Sequence, residues 1–384
     1  MNLDLYLEPV DFSGFNLIGW SQKKFTLGSL LEKNREKIPV AKAKIVLIGV
    51  PEDRHAVVKG SAQAPDKIRE QLYLLNRIAP RFKILDLGNI KNGKNAADTY
   101  FALKDVCTTL TDAGLSVVVM GGSQDLTFGL AKTFEHQYFN LVSVDPKIDI
   151  HKGAKSIDSE NYLGFITEKH RNLFSTTVLG YQNYFTDVLE LSQAANINLD
   201  TRRLGQLRYN MAEIEPYMRG ADCFSFDLNA VRSIDAPGQY FASPNGLYAE
   251  EACQVAHYAG MADAMKLAGF FNFIPSSDRD GLSAKLMAQI IWHYLEGFHF
   301  KVVENPEKRA DEFSEYIIEM DDMELPLTFY QSRRTGRWWM KIYNQNNDTD
   351  HIVSCSQEDY ELAARYEIPD RWWRNIRKLN QLAK

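Results

Sequence analysis

Short apolar runs alternate with longer stretches in which apolar positions recur every three or four residues, and this rhythm fills residues 41 to 300. Ile45 to Pro51, Val117 to Gly121, Leu141 to Val144 and Phe224 to Leu228 are runs of four to seven residues rich in Val, Ile or Phe and closed by turn formers, which suits strands covered on both faces. Between and after them, Asp66–Leu75, Tyr100–Ala113 with its Gly114 stop, Phe185–Asn196, Ala249–Leu267 and Ser283–Gly297 are expected to be helices. Strand and helix in alternation predict a parallel sheet with crossover helices.

The rhythm changes near residue 301. Phe313–Met320, Leu327–Gln331 and Arg337–Tyr343 are expected to be strands, followed by a helix opened by Ser356 and Asp359 and another from Pro369 or Asp370 to about Leu382. Three parts are therefore expected. Residues 1–40 form a lead-in with Thr26–Lys37 as a short charged helix and Phe12, Phe15, Leu17, Ile18 and Trp20 as anchors; residues 41–300 form the α/β domain, and 301–384 a small α+β extension.

Composition constrains partners more than fold. The 384 residues are 45% hydrophobic and 24% charged with a net charge of −6, so neither nucleic acid nor an anionic membrane is an expected partner. The four cysteines lack any CxxC spacing, which argues against a disulfide framework and for a reducing compartment. With no apolar run of membrane length and an acidic start, the cytoplasm is the expected location.

Three strand ends carry the candidate chemistry. Gly121-Gly122-Ser123-Gln124-Asp125, Asp145-Pro146-Lys147-Ile148-Asp149 and Asp227-Leu228-Asn229 each follow an apolar run, and ligand crevices of open α/β sheets lie at the carboxyl ends of their strands. These stretches resemble the ureohydrolase family (arginases, agmatinases and formimidoylglutamases), which has Gly-Gly-Asp-His-Ser, Asp-Ala-His-x-Asp and Ser-x-Asp-x-Asp-x-x-Asp-Pro at successive strand ends. Ile45–Pro51 with Gly60, Ala64-Pro65 and Ile68-Arg69 is similar to the family's first strand and loop. Asp86-Leu87-Gly88, Asp235-Ala236-Pro237-Gly238, and Pro275 through Ser283-Ala284 extend the resemblance to roughly residues 40–300. It implies a three-layer arginase-like α/β domain.

The same resemblance implies loss of chemistry. Asp145, Asp149 and Asp227 fall at metal carboxylates, but Gln124 and Lys147 replace ligand histidines and Asn229 replaces a ligand Asp. Arg232 occupies the Asp of the family's Asp-Pro pair, Leu163 a proton-shuttling His, and Asn272 a substrate carboxylate. A divalent ion about 4 Å from the Lys147 ammonium would be repelled by roughly 8 kcal/mol at an effective dielectric near 20. The expectation is a degenerate ureohydrolase without a cofactor, its aspartates neutralised by a Lys147 and Arg232 salt-bridge network, acting as a binding or assembly component. The alternative is a manganese-dependent hydrolase of guanidino or formimino C–N bonds, with Asp145, Asp149 and Asp227 as ligands. A third reading is a cleft that binds a small amidine or cationic ligand without cleaving it.

Two secondary features complete the picture. Trp338, Trp339, Trp372 and Trp373 lie among Arg337, Arg374 and other basic residues, a composition that suits packing, a protein interface or self-assembly, and least of all nucleobase stacking. The arginines are expected to pair with Asp321, Asp322 and Glu324. His151 and His170 are expected near the rim, and His293 as a packed or surface histidine.

Overall fold

The computed structural model describes residues 2–11, 15, 25–31, 39–151, 154–189, 191–192, 199–320, 323, 325–344 and 348–382. The expected helix at 26–37, the anchors Phe12, Leu17, Ile18 and Trp20, the end of the 185–196 helix, and Asp321, Asp322 and Glu324 lie wholly or partly outside the described residues. Phe15 does pack on the core, its ring 6.4 Å from that of Tyr73.

The strands, in chain order, are β1 (Leu7–Glu8), β2 (Ile45–Val50), β3 (Ile84–Ile90), β4 (Ser116–Gly121), β5 (Phe139–Val144), β6 (Leu173–Tyr181), β7 (Leu199–Arg203), β8 (Cys223–Asp227) and β9 (Leu267–Phe271). They form one nine-stranded sheet in the order β1-β3-β2-β4-β9-β8-β5-β6-β7. β1 is antiparallel at one edge and the other pairings are parallel.

Alternation along each strand builds a core on both faces. In β2, Ile45 and Leu47 join one cluster and Val46, Ile48 and Val50 the other, all fully buried, because successive side chains point to opposite faces. Helices α2 (Ala96–Asp112), α3 (Leu126–Lys132) and α4 (Tyr162–Lys169) cover one face. Helices α1 (Ala64–Leu72), α5 (Leu204–Tyr209), α6 (Glu215–Arg219), α7 (Ala249–Gly260) and α8 (Leu282–Phe300) cover the other. The result is the expected three-layer α/β domain.

Local chemistry fixes the element ends. The Asn95 side chain accepts from the Asp98 amide at 2.9 Å and the Asp98 carboxylate accepts from the Asn95 amide at 3.2 Å, a capping box that starts α2 earlier than its apolar pattern suggests. Arg69 is fully buried and ties α1 to β3 through Asp86 at 2.8 and 3.0 Å and the Gly88 carbonyl at 2.9 Å. Burial opposes its charge, and the Asp86 carboxylate more than offsets that. The expected helix over Ala249–Leu267 ends at Gly260, and Leu267–Phe271 is the central strand β9. Each β9 residue is buried between β4 and β8, so tertiary pairing overrides a local pattern that a helix would also satisfy.

The extension is a four-stranded antiparallel sheet of β10 (Phe313–Ile318), β11 (Leu327–Ser332), β12 (Trp338–Asn344) and β13 (Thr349–Cys355), with α9 (Gln357–Ala364) and α10 (Asp370–Leu382). β13, polar and half exposed, gave no apolar signal in the sequence. The extension docks on the main domain. The Arg219 guanidinium donates to the Trp338 carbonyl at 2.7 Å, Ser354 Oγ donates to the Pro216 carbonyl at 2.7 Å, and Lys378 pairs with Asp200 at 2.7 Å. Among the described residues no helix is long and apolar enough to cross a membrane.

Candidate functional site

Sheet order brings the candidate residues together. β4, β9, β8 and β5 are consecutive neighbours, and their carboxyl ends deliver Gln124, Asn272, Asp227 with Asn229, and Asp145 through Asp149 to one rim. The Gly-Gly turn after β4 is steric. A Cβ on Gly122 would lie 1.7 Å from the Glu52 carbonyl oxygen, so only glycine lets these backbones approach.

Gln124 is fully buried and held on every side. Its Nε2 lies 2.9 Å from the Tyr162 hydroxyl and 3.3 Å from Ser143 Oγ, while its Oε1 accepts from Asn272 Nδ2 at 3.3 Å. Asn272 returns the contact by accepting the Gln124 amide at 3.1 Å, from a left-handed backbone with φ of 63° that Asn tolerates. Asn229 is equally committed. Its Nδ2 donates to Asp227 Oδ1 at 2.7 Å, its own amide donates to the same oxygen at 2.8 Å, and its Oδ1 accepts the Phe241 amide at 3.1 Å. Leu163, in the first turn of α4, is buried in the core cluster and offers no proton.

Lys147 and Arg232 do not pair with the three aspartates. Lys147 turns its ammonium to Glu160 at 2.6 Å and onto the Phe241 ring at 4.1 Å, while Tyr240 donates to the same Glu160 oxygen at 3.0 Å. Arg232 pairs with Asp235 at 2.7 and 3.0 Å and lies over Tyr248. The expected network of Lys147 and Arg232 ion pairs to the three aspartates is therefore corrected: both cations lie half-exposed at the mouth, where a carboxylate outside the trio is nearer and less costly to pair.

Asp145, Asp149 and Asp227 are thus buried without an ion-pair partner among the described residues. Burial pushes Asp145 up to about 7, against the Lys147 amide that donates to its Oδ1 at 2.8 Å. Burial, then the negative charge of Asp145, raises Asp149 and Asp227 well above the carboxylate range. Hydrogen bonds from the Lys147 and Asn229 backbone amides and from Asn229 Nδ2 offset part of that burial.

The residues present do not fit a two-ion centre. Gln124 and Lys147 stand where the family has histidines, the amide groups of Gln124 and Asn229 are bonded to protein partners, and one oxygen each of Asp145 and Asp227 accepts backbone N–H. Among the described residues, the one trio of His, Cys, Asp or Glu with ligand atoms all within 4.8 Å of one another lies elsewhere.

Several partners at the rim escaped sequence reading. Tyr162, Ser143, Ser225, Thr127, Glu160 and Tyr240 complete the network, with Ser143 and Ser225 in register on β5 and β8 and Thr127 Oγ1 2.7 Å from Ser225 Oγ. The available signal was a serine inside each of two otherwise apolar buried runs, Val142-Ser143-Val144 and Phe224-Ser225-Phe226. His170 is not at the rim. It packs at the start of β5 between Phe128 and Phe139, with ring centroids 5.5 and 6.2 Å away.

The aromatic cluster of the extension divides. Trp338 stacks on Tyr360 at 4.6 Å and Trp339 lies under Arg219 at 4.4 Å, both buried. Arg337 pairs with Glu215 at 3.1 Å, and Arg374 with Asp370 at 3.1 Å and the Tyr217 hydroxyl at 3.3 Å. Trp372 is half-buried and Trp373 is 48% exposed, so of the four tryptophans Trp373 on α10 is the one that faces solvent.

An arginase-family model matches residues 43–296. Formimidoylglutamase of Photorhabdus laumondii is 21% identical over 247 residues, covering 61% of this chain and 78% of the relative. That of Rhodococcus jostii is 22% identical over 275 residues, covering 64% and 83%. Among solved structures, Trypanosoma cruzi formiminoglutamase with Mn2+ superposes with a TM-score of 0.67 at 20% identity, covering 72% of this chain and 99% of that one. The agmatine ureohydrolase of Thermoplasma volcanium gives 0.60 at 17% identity, covering 76% and 96%. At these identities the structural likeness carries the fold, and residues 301–384 lie outside the family match.

Proposed function

Because the chain belongs to the arginase family, we propose that it is a member in which metal-dependent hydrolysis has been given up and the fold serves as a binding or assembly component. The observation that carries this reading is the latch between Gln124 and Asn272 at the family's ligand and substrate positions, in which Asn272 Oδ1 accepts the Gln124 backbone amide and Asn272 Nδ2 donates to Gln124 Oε1. Both side chains are committed to protein partners, Gln124 Nε2 to Tyr162 and Ser143, so neither a ligand imidazole nor a substrate-anchoring carboxylate is on offer at these positions. Loss of nucleophile source, proton shuttle and anchor together is difficult to compensate, since each supplies a separate part of the barrier lowering.

The test is elemental analysis of purified protein together with formamide, urea and ammonia release from formimino and guanidino substrates with added manganese. Metal below a tenth of an equivalent and no turnover are expected. Stoichiometric manganese with turnover would return the chain to the hydrolases. That second reading draws on the three buried aspartates without a cation and on the formimidoylglutamase relatives. Four buried free cysteines suit a reducing compartment, and the cytoplasm is the location we assign on that ground.

A further inference from the structure

The two helices that cover one face of the sheet beside β9 meet more closely than ordinary side chains permit. A Cβ on Gly260 of α7 would lie 2.1 Å from the Tyr294 carbonyl oxygen, and one on Gly297 of α8 would lie 2.2 Å from that of His257. These two glycines let the backbones touch. The contact sets His257 beside the turn of α8 that carries His293 and Glu296, which share a helix face at i and i+3.

Glu296 Oε2 is 3.4 Å from Nδ1 of His257 and 3.4 Å from Nδ1 of His293. Both contacts are longer than the usual N–H···O hydrogen bond of about 2.7–3.2 Å and within ion-pair range. A tetrahedral zinc ion fits the same distances. With Zn–N and Zn–O bonds of roughly 2.0–2.1 Å, ligand atoms stand about 3.4 Å apart along each edge. Two edges already have that length, and the ligand atoms of all three side chains lie within 4.8 Å of one another. The remaining edge, between the two imidazoles, is within 4.8 Å.

The geometry points to a zinc site formed by His257, His293 and Glu296 at the crossing of α7 and α8. Two imidazoles with one carboxylate are a donor set for zinc, and three protein ligands leave a fourth position for water or an outside group. That position is accessible. His257 and His293 line a surface cavity of about 480 Å3 together with Cys253, Gln254 and Gln289. The site is separate from the rim: it lies on the helices, and it stands whether or not the former metal centre is empty. Bound zinc would clamp α7 to α8 and stabilise the folded chain by mass action.

The experiment is calorimetric titration of the full-length, chelator-treated protein with zinc chloride, with thermal melting in parallel. One saturable zinc per chain and a zinc-dependent rise in Tm are expected. His257→Asn and His293→Asn should each weaken binding at least tenfold and abolish the rise, while melting like the parent without zinc. Zinc binding unchanged in both variants, or no rise in the parent, would overturn the site. Should either variant misfold, cobalt(II) absorption of the unaltered protein decides: an intense low-coordinate visible spectrum supports the site and a weak six-coordinate one removes it.

Discussion

Asn272 Nδ2 sits 3.3 Å from Gln124 Oε1 while Asn272 Oδ1 takes the Gln124 backbone amide at 3.1 Å, so one side chain at the end of β9 latches the turn that follows β4. The two strands are neighbours in the sheet, and the latch crosses their carboxyl ends where the family's metal chemistry would stand.

Removing the latch should destabilise the fold without changing a reaction. Gln124→Leu keeps most of the volume but removes the acceptor of Asn272 Nδ2 and one partner of the Tyr162 hydroxyl, leaving that hydroxyl to Ser143. We expect a loss of about 1–3 kcal/mol in chemical denaturation. A variant as stable as the parent would mean these contacts are replaceable.

Lys147 discriminates between two electrostatic designs. An ammonium that neutralised buried aspartates would cost about 3–5 kcal/mol to remove, whereas a half-exposed pair with Glu160 contributes under about 1 kcal/mol. Lys147→Met is expected to fall in the lower range. A loss above about 3 kcal/mol would restore the salt-bridge network as the cluster's support.

Arg69 stands at the opposite extreme. Its guanidinium is wholly buried, so Arg69→Met leaves Asp86 without its cation inside the protein. The expected cost is about 3–5 kcal/mol, read as a fall in the denaturation midpoint with an unchanged slope.

His170 gives stability a pH dependence. Burial, with Lys132 adding to it, lowers its pKa from 6.5 to about 4. Between those values the unfolded chain binds a proton that the folded chain refuses, so this contribution is whole above about pH 6.5 and declines as pH falls toward 4. His170→Phe should flatten the Tm profile across that window. An identical profile would assign the acid sensitivity to other groups.

Tryptophans of the extension should separate stability from recognition. Trp339→Ala opens a buried site under Arg219 and should cost about 3–5 kcal/mol. Trp373→Ala should change stability by less than about 0.5 kcal/mol. If α10 serves assembly, the second variant alone should shift the oligomer distribution in analytical ultracentrifugation while remaining folded.

The sequence by itself determined the alternation of buried strands and amphipathic helices, the family motifs at three strand ends, and the absence of ligand imidazoles at 124 and 147, because these depend on residue type and on periods within one element. The Asn95 and Ser356 caps were local in the same sense, although only the latter was read correctly. Tertiary structure decided the rest. Leu267–Phe271 is a strand because β4 and β8 flank it, and Lys147 meets Glu160 because a loop thirteen residues on folds back to the rim. Trp339 is buried because Arg219, far away in the chain, lies over it. Which carboxylate a cation chooses, and which tryptophan faces water, are set by distances between elements, and a linear pattern holds no record of those.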